Sequence, residues 1–234
     1  MKSLVYISLR RVSAALALIV VGLTLISIIG LLAGGRFLIF NVNGERNIPA
    51  WFSTSMLLFC SALLALIACV KKARSDRHIL LWQLLALAFL FLSVDEAASL
   101  HERLNKLGSI LPDNPVLYFG WVVPALVFVV IYGVLNLRLL ADLPVRIRIL
   151  FLVAGGIYVG GAIGVEMIGG YYLSFHERKD LTYSIITVFE EIIEMTGIVV
   201  FIYALMTYIN QDMNPIGIYF SGKTIPTNPL EQQP

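Results

Sequence analysis

Charge is scarce in this chain. Only 14% of its 234 residues are Asp, Glu, Lys or Arg, against 59% hydrophobic residues. The mean hydropathy of +0.86 lies far above that of soluble domains. Cysteine is almost missing too: Cys60 and Cys69 share one apolar run, about 13 Å apart along a helix. They are too distant for a mutual disulfide and read as small buried hydrophobes. HExxH, CxxC, a Gly-rich phosphate loop and a serine-histidine constellation are all lacking, so zincin, serine hydrolase and nucleotide chemistry find no support. No polar stretch is long enough to hold a separate soluble domain.

What is present is apolar length. Runs able to cross a hydrocarbon core of about 30 Å, which takes about 20 residues of helix, occur near residues 13–34, 50–70, 79–98, 117–139, 149–170 and 183–208. The predicted fold is therefore all-α: a polytopic membrane protein, a six-transmembrane-helix bundle over residues 1–210 with a proline-rich tail at 211–234. The first run is too long, and too lacking in a cleavage site, for a signal peptide, so it is expected to be a retained helix.

Eleven of the seventeen basic residues fall on the side that also holds both termini, which predicts cytoplasmic termini in a bacterial inner membrane. That basic face suits anionic lipid and gives no argument for nucleic acid. The tail lacks apolar periodicity. It is expected to lie against a membrane-protein partner or the cytoplasmic helix ends, anchored by Ile216, Ile218, Tyr219 and Phe220.

Seven acids interrupt the apolar runs: Asp95, Glu96 and Glu102 in FLSVDEAASLHERL, Glu166 in GGAIGVEMIGGYY, and Glu190, Glu191 and Glu194 in TVFEEIIEMTG. An ionisable group at bilayer depth costs several kcal/mol unless it is paired, hydrated or cation-bound. With the topology above, all seven occupy one layer near the outer boundary of the hydrocarbon. The third helical pattern continues to about Lys106, so both it and the sixth helix are expected to project beyond the outer surface. On an unbroken third helix Asp95, Ser99 and Glu102 form one stripe, with Glu96 and His101 flanking it on opposite sides. Glu96 is the acid expected to point elsewhere, toward an outer-loop arginine. Gly156, Gly160 and Gly164, spaced by four, predict a close helix approach beside Glu166.

So many carboxylates demand cations: protons, Arg or Lys, or metals. A metal site built from Asp95, His101, Glu102, Glu166, Glu190, Glu191 and Glu194 is the sharpest expectation, with His176 as a further imidazole. Carboxylates with imidazole and no thiolate suit a divalent metal such as iron, manganese or zinc, and carboxylates alone suit calcium. Helical di-iron sites pair Glu and His at i and i+3, whereas His101 and Glu102 are adjacent. The same residues also fit a proton- or cation-coupled transporter, or an accessory subunit whose acids pair with Arg36, Arg46, Arg103 and Arg178. A membrane enzyme acting on a lipid-like or hydrophobic substrate is the reading the pattern favours.

Overall fold

The computed structural model describes residues 8–34, 38–40, 47–109, 114–176 and 180–213, and among these all regular structure is helical. The tail with its four apolar anchors, and Arg36, Arg46 and Arg178, lie outside the described residues. Six helical segments are long and apolar enough to cross a membrane: α1 (Leu9–Leu32), α2 (Ile48–Ala73), α3 (Ile79–Ala98), α5 (Val122–Asp142), the segment Val145–Phe175, and α8 (Leu181–Asp212). The short α4 (Leu100–Arg103) follows α3. The fifth segment consists of α6 (Val145–Val159), a π-helical stretch over Gly160–Val165 and α7 (Glu166–Phe175). Large hydrophobic side chains such as Leu18, Val130 and Val134 face outward, as a hydrocarbon solvent requires.

Local chemistry sets the ends. Asn47 Oδ1 accepts the Ala50 N–H at 3.0 Å, with Pro49 in the first turn of α2. Asp180 caps α8 by accepting the Tyr183 N–H at 3.0 Å, and the Tyr172 hydroxyl donates to its other oxygen at 2.6 Å. Those two bonds hold the Asp180 carboxyl below its usual range and tie the end of α7 to the start of α8.

α8 is the central element, packed by α1, α2, α6 and α7. At the end of the bundle away from α4, an aromatic column joins three helices: Trp82 stacks on Tyr208 at 5.2 Å, Phe89 on Phe201 at 4.6 Å, and Phe151 meets Phe201 at 4.9 Å. Ser61 and Ser93 donate to the carbonyls of Ala86 and Thr54 at 2.8 and 2.9 Å, locking α2 against α3. Ion pairs stitch this same end: Lys71 reaches Asp76 and Asp212 at 3.3 and 2.8 Å, and Arg77 and His78 converge on Asp142. α5 packs sparsely, mainly against α3 and the π-helical stretch.

The third helix does not continue to Lys106, contrary to its sequence pattern. It stops at Ala98 because Ser99 adopts the left-handed conformation (φ 49°, ψ 48°). Asp95 makes the break favourable: its Oδ1 accepts the His101 N–H at 2.8 Å, six residues on, so the side chain replaces the helical acceptor. The expected stripe of Asp95, Ser99 and Glu102 is therefore folded over. α8, at about 48 Å by its 32 residues, does exceed the hydrocarbon core.

The glycine expectation is also corrected. Positions 156, 160 and 164 have nothing within 4 Å of a built Cβ. Close approach occurs at Gly161, where a Cβ would lie 2.9 Å from Glu194 Cγ, and at Gly197, where it would lie 2.7 Å from the Tyr158 nitrogen. Repeat spacing shows which residues share a face; it does not show which face meets a neighbour.

Candidate functional site

α3, α4, α5, the fifth segment and α8 enclose a cavity of about 790 Å³. One end is acidic. Asp95, Glu96 and Glu102 reach it from α3 and α4, Glu166 from the first turn of α7, and Glu190, Glu191 and Glu194 from α8. The remainder is apolar, with Phe89, Leu92, Phe128, Phe151 and Leu152 on its walls. Along α5 the lining runs from Trp121 to Leu140, about 28 Å of helix and close to the thickness of a hydrocarbon core.

The acidic end divides into three groups. In the first, Asp95 Oδ2 holds His101 Nδ1 at 2.8 Å while Oδ1 holds the His101 backbone, so both carboxylate oxygens fix one imidazole. Trp121 lies 5.0 Å from the His101 ring, centroid to centroid. Burial alone would lower the His101 pKa; the hydrogen bond and charge of Asp95, helped by Glu166 and Glu96, outweigh it and raise it above the ordinary 6.5. In the second group Trp121 Nε1 donates to Glu166 Oε1 at 3.3 Å, and Glu166 is in hydrogen-bond contact with Glu190. In the third, Glu96, Glu191 and Glu194 line the cavity with Tyr158 and lie within electrostatic reach of one another and of it, and Asp95 and Glu166 also act on members of this set.

The π-helical stretch matters to this arrangement. Such a turn carries an extra residue and re-phases the helix beyond it, and it recurs at functional sites. Here it ends one residue before Glu166 and sets Gly161 against the α8 backbone at Glu190 and Glu194. Glycine at 161 lets α8 come near enough for its carboxylates to share a cavity with Glu166.

All seven acids and His101 line the cavity. Glu96, expected to turn away, is in the midst of the group. Glu102 is at the mouth and exposed, within electrostatic reach of Tyr183. His176 stands apart: its ring stacks on Tyr172 at 4.0 Å, its Nδ1 contacts the Tyr172 carbonyl at 2.9 Å, and it does not line the cavity. His78, paired with Asp142, is at the opposite end of the bundle. Trp121, Tyr158 and Tyr183 were not singled out by the sequence. Trp121, at the start of the fourth apolar run, carried a signal as an interfacial aromatic; the two tyrosines carried none.

Chemically the acidic end can hold protons or cations and present them to a molecule lying along the apolar walls. Among the described residues, no three His, Cys, Asp or Glu side chains are grouped closely enough to hold a metal ion. Comparison with curated proteins and with solved structures found no match. One family model does match, over residues 9–209, which is nearly the whole helical region: the chain belongs to the family described as a domain of unknown function, DUF8692.

Proposed function

We propose that this protein is a metal-dependent membrane enzyme that takes a lipid-like or other membrane-dissolved substrate into the cavity, with the substrate's polar end among the carboxylates. The observation that carries the reading is the union, in one cavity, of seven carboxylates and an oriented imidazole with a long apolar remainder. Pockets of this size that are mostly apolar with a few convergent polar groups are the usual form of small-molecule sites.

His101 supports the metal. A carboxylate on one ring nitrogen fixes the tautomer and leaves the other nitrogen for coordination, the arrangement common behind metal-bound imidazoles. Asp95 thus acts as a positioning residue, and Glu96, Glu166, Glu190, Glu191 and Glu194 supply oxygens. This donor set suits iron, manganese or zinc, with calcium as the oxygen-only choice. The donors must draw together to ligate. Such an ion would supply Lewis-acid or redox chemistry to the substrate's polar end, an oxidoreductase or hydrolase role. The chain is placed in a bacterial inner membrane with both termini cytoplasmic, so the acidic end faces outward; the asymmetry of Lys and Arg supports this.

The test is elemental analysis of protein purified without added metal or chelator, alongside Glu194→Gln, which keeps shape and removes charge. Stoichiometric transition metal in the native chain, lost in the variant while the fold persists, is the expected result. A native chain free of metal, or a variant with unchanged content, contradicts the reading.

A further inference from the structure

We propose that the slot between α5 and α6 is the doorway of the cavity, through which the aliphatic chain of a membrane-dissolved amphiphile enters sideways from the hydrocarbon. This rests on reading the cavity as the substrate site, and it names the substrate's source and route.

The slot runs against connectivity. Only Leu143 and Pro144 join α5 to α6, and a connection that short ordinarily makes a packed antiparallel pair. Here the two helices barely touch, and α5 leans on α3 and the π-helical stretch instead. Phe128 and Gly133 on one edge, and Leu152, Gly155 and Gly156 on the other, both line the cavity and are exposed. Phe128 is 45% and Leu152 56% exposed. A Cβ built on any of the three glycines meets nothing within 4 Å. The gap between the helices thus joins the cavity to the outside of the bundle.

Its depth decides what it opens onto. Counted from the ion-paired end, the edge residues are about 14–21 Å along α5 and about 10–17 Å along α6. In helices that cross a hydrocarbon core of about 30 Å, that is the interior of the bilayer. The molecules present at such an opening are those dissolved in the membrane, and an aliphatic chain passing from lipid tails into an apolar slot stays in apolar surroundings.

The other ways in are shut to such a chain. The cavity lining ends at Leu85 on α3, Leu140 on α5, Phe151 on α6 and Phe201 on α8. One turn further toward the ion-paired end stand Trp82, Leu143, Ile147 and Leu205, each at most 5% exposed and none lining the cavity. The floor is therefore closed on all four helices, and the contacts of Phe201 with Phe89 and Phe151 hold it together. None of the lining residues on α3 is exposed, which closes that side. The carboxylate mouth remains. An apolar chain drawn through it from water would first have to leave the membrane, at about 25 cal/mol for each Å² of apolar surface bared.

The experiment uses the full chain in phosphatidylcholine vesicles, with a hexadecanol that carries a trifluoromethyl-phenyl diazirine at its tail end. The probe is uncharged, so the acids do not select it. After irradiation, adducts are mapped by mass spectrometry. Ile198 and Phe201 line the cavity from α8 and are buried, whereas Leu87 and Phe91 on α3 are exposed and do not line it. Both pairs should be labelled in the native chain. Gly133→Trp with Gly156→Trp plugs the slot from its two edges and should abolish the label on Ile198 and Phe201 while Leu87 and Phe91 keep theirs. Label on Ile198 and Phe201 that survives the plugs overturns the doorway and leaves the cavity reading standing. Native chain labelled on α3 alone sinks the cavity reading and this proposal together. If the plugged chain does not fold, a short water-soluble diazirine on the native chain decides: Ile198 and Phe201 untouched by it, yet labelled by the alcohol, support the doorway, and their labelling by the water-soluble probe overturns it.

Discussion

Asp95 and His101 are the residues on which the site's chemistry turns. One carboxylate holds both the backbone and the ring of the same histidine, so Asp95→Asn removes the charge that raises the imidazole pKa and leaves burial to lower it. In chelator-treated protein the His101 titration followed by NMR should therefore have its midpoint above the ordinary value of about 6.5 in the native chain and clearly below the native midpoint in the variant. The sign follows for stability. A histidine with a raised folded pKa stabilises most below the unfolded value, and the contribution fades as pH rises through the folded one. A variant that titrates as the native chain does would show that Asp95 does not govern His101. Gly197 gives a second residue-level prediction: a methyl there meets the Tyr158 backbone nitrogen at 2.7 Å. Gly197→Ala should cost about 1–3 kcal/mol in unfolding free energy. Unfolding unchanged from the native chain would mean that α6 and α8 are less closely packed than described.

At the scale of elements, what could be read in the sequence followed helix continuity. Glu190, Glu191 and Glu194 were placed on one face correctly because α8 is a single helix from Leu181 to Asp212, and a fixed rotation per residue carries across it. The stripe of Asp95, Ser99 and Glu102 was misdrawn because that rotation was extended through Ser99, whose left-handed backbone no periodicity reveals. A carboxylate that caps a turn six residues on looks, in sequence, like any acid on a helix. The π-helical stretch was equally hidden, since glycine spacing gave the small residues without saying that Gly161 would meet Glu194. The break itself can be tested. Ser99→Gly removes the Cβ penalty of the left-handed region, so it should stabilise or be neutral, whereas Ser99→Val should cost about 1–2 kcal/mol. Equal melting temperatures for the two variants would argue that the third helix runs on past Ala98.

Over the whole molecule, the apolar runs and the acid layer were legible, and the cavity was not, because a void depends on how loosely α5 sits beside α3 and α8. The two ends of the bundle differ in kind. One is bound by Lys71, Asp76 and Asp212 together with Arg77, His78 and Asp142, and the other opens between carboxylates. That polarity, with the positive side inward, predicts that a reporter active only in the cytoplasm will be active when fused after Pro234; one active only outside at that position would reverse the orientation.

The central claim, a metal ion held at the acidic end of a lipid-sized cavity, is tested most directly by an experimental structure of protein purified without chelator, with anomalous scattering collected at transition-metal absorption edges. The account predicts an anomalous peak within coordination distance of His101 Nε2 and of carboxylate oxygens from α8, at about 2.0–2.2 Å for zinc, with elongated apolar density running toward Asn136. No anomalous signal there, with those carboxylates bridged only by water or by one another, would contradict it.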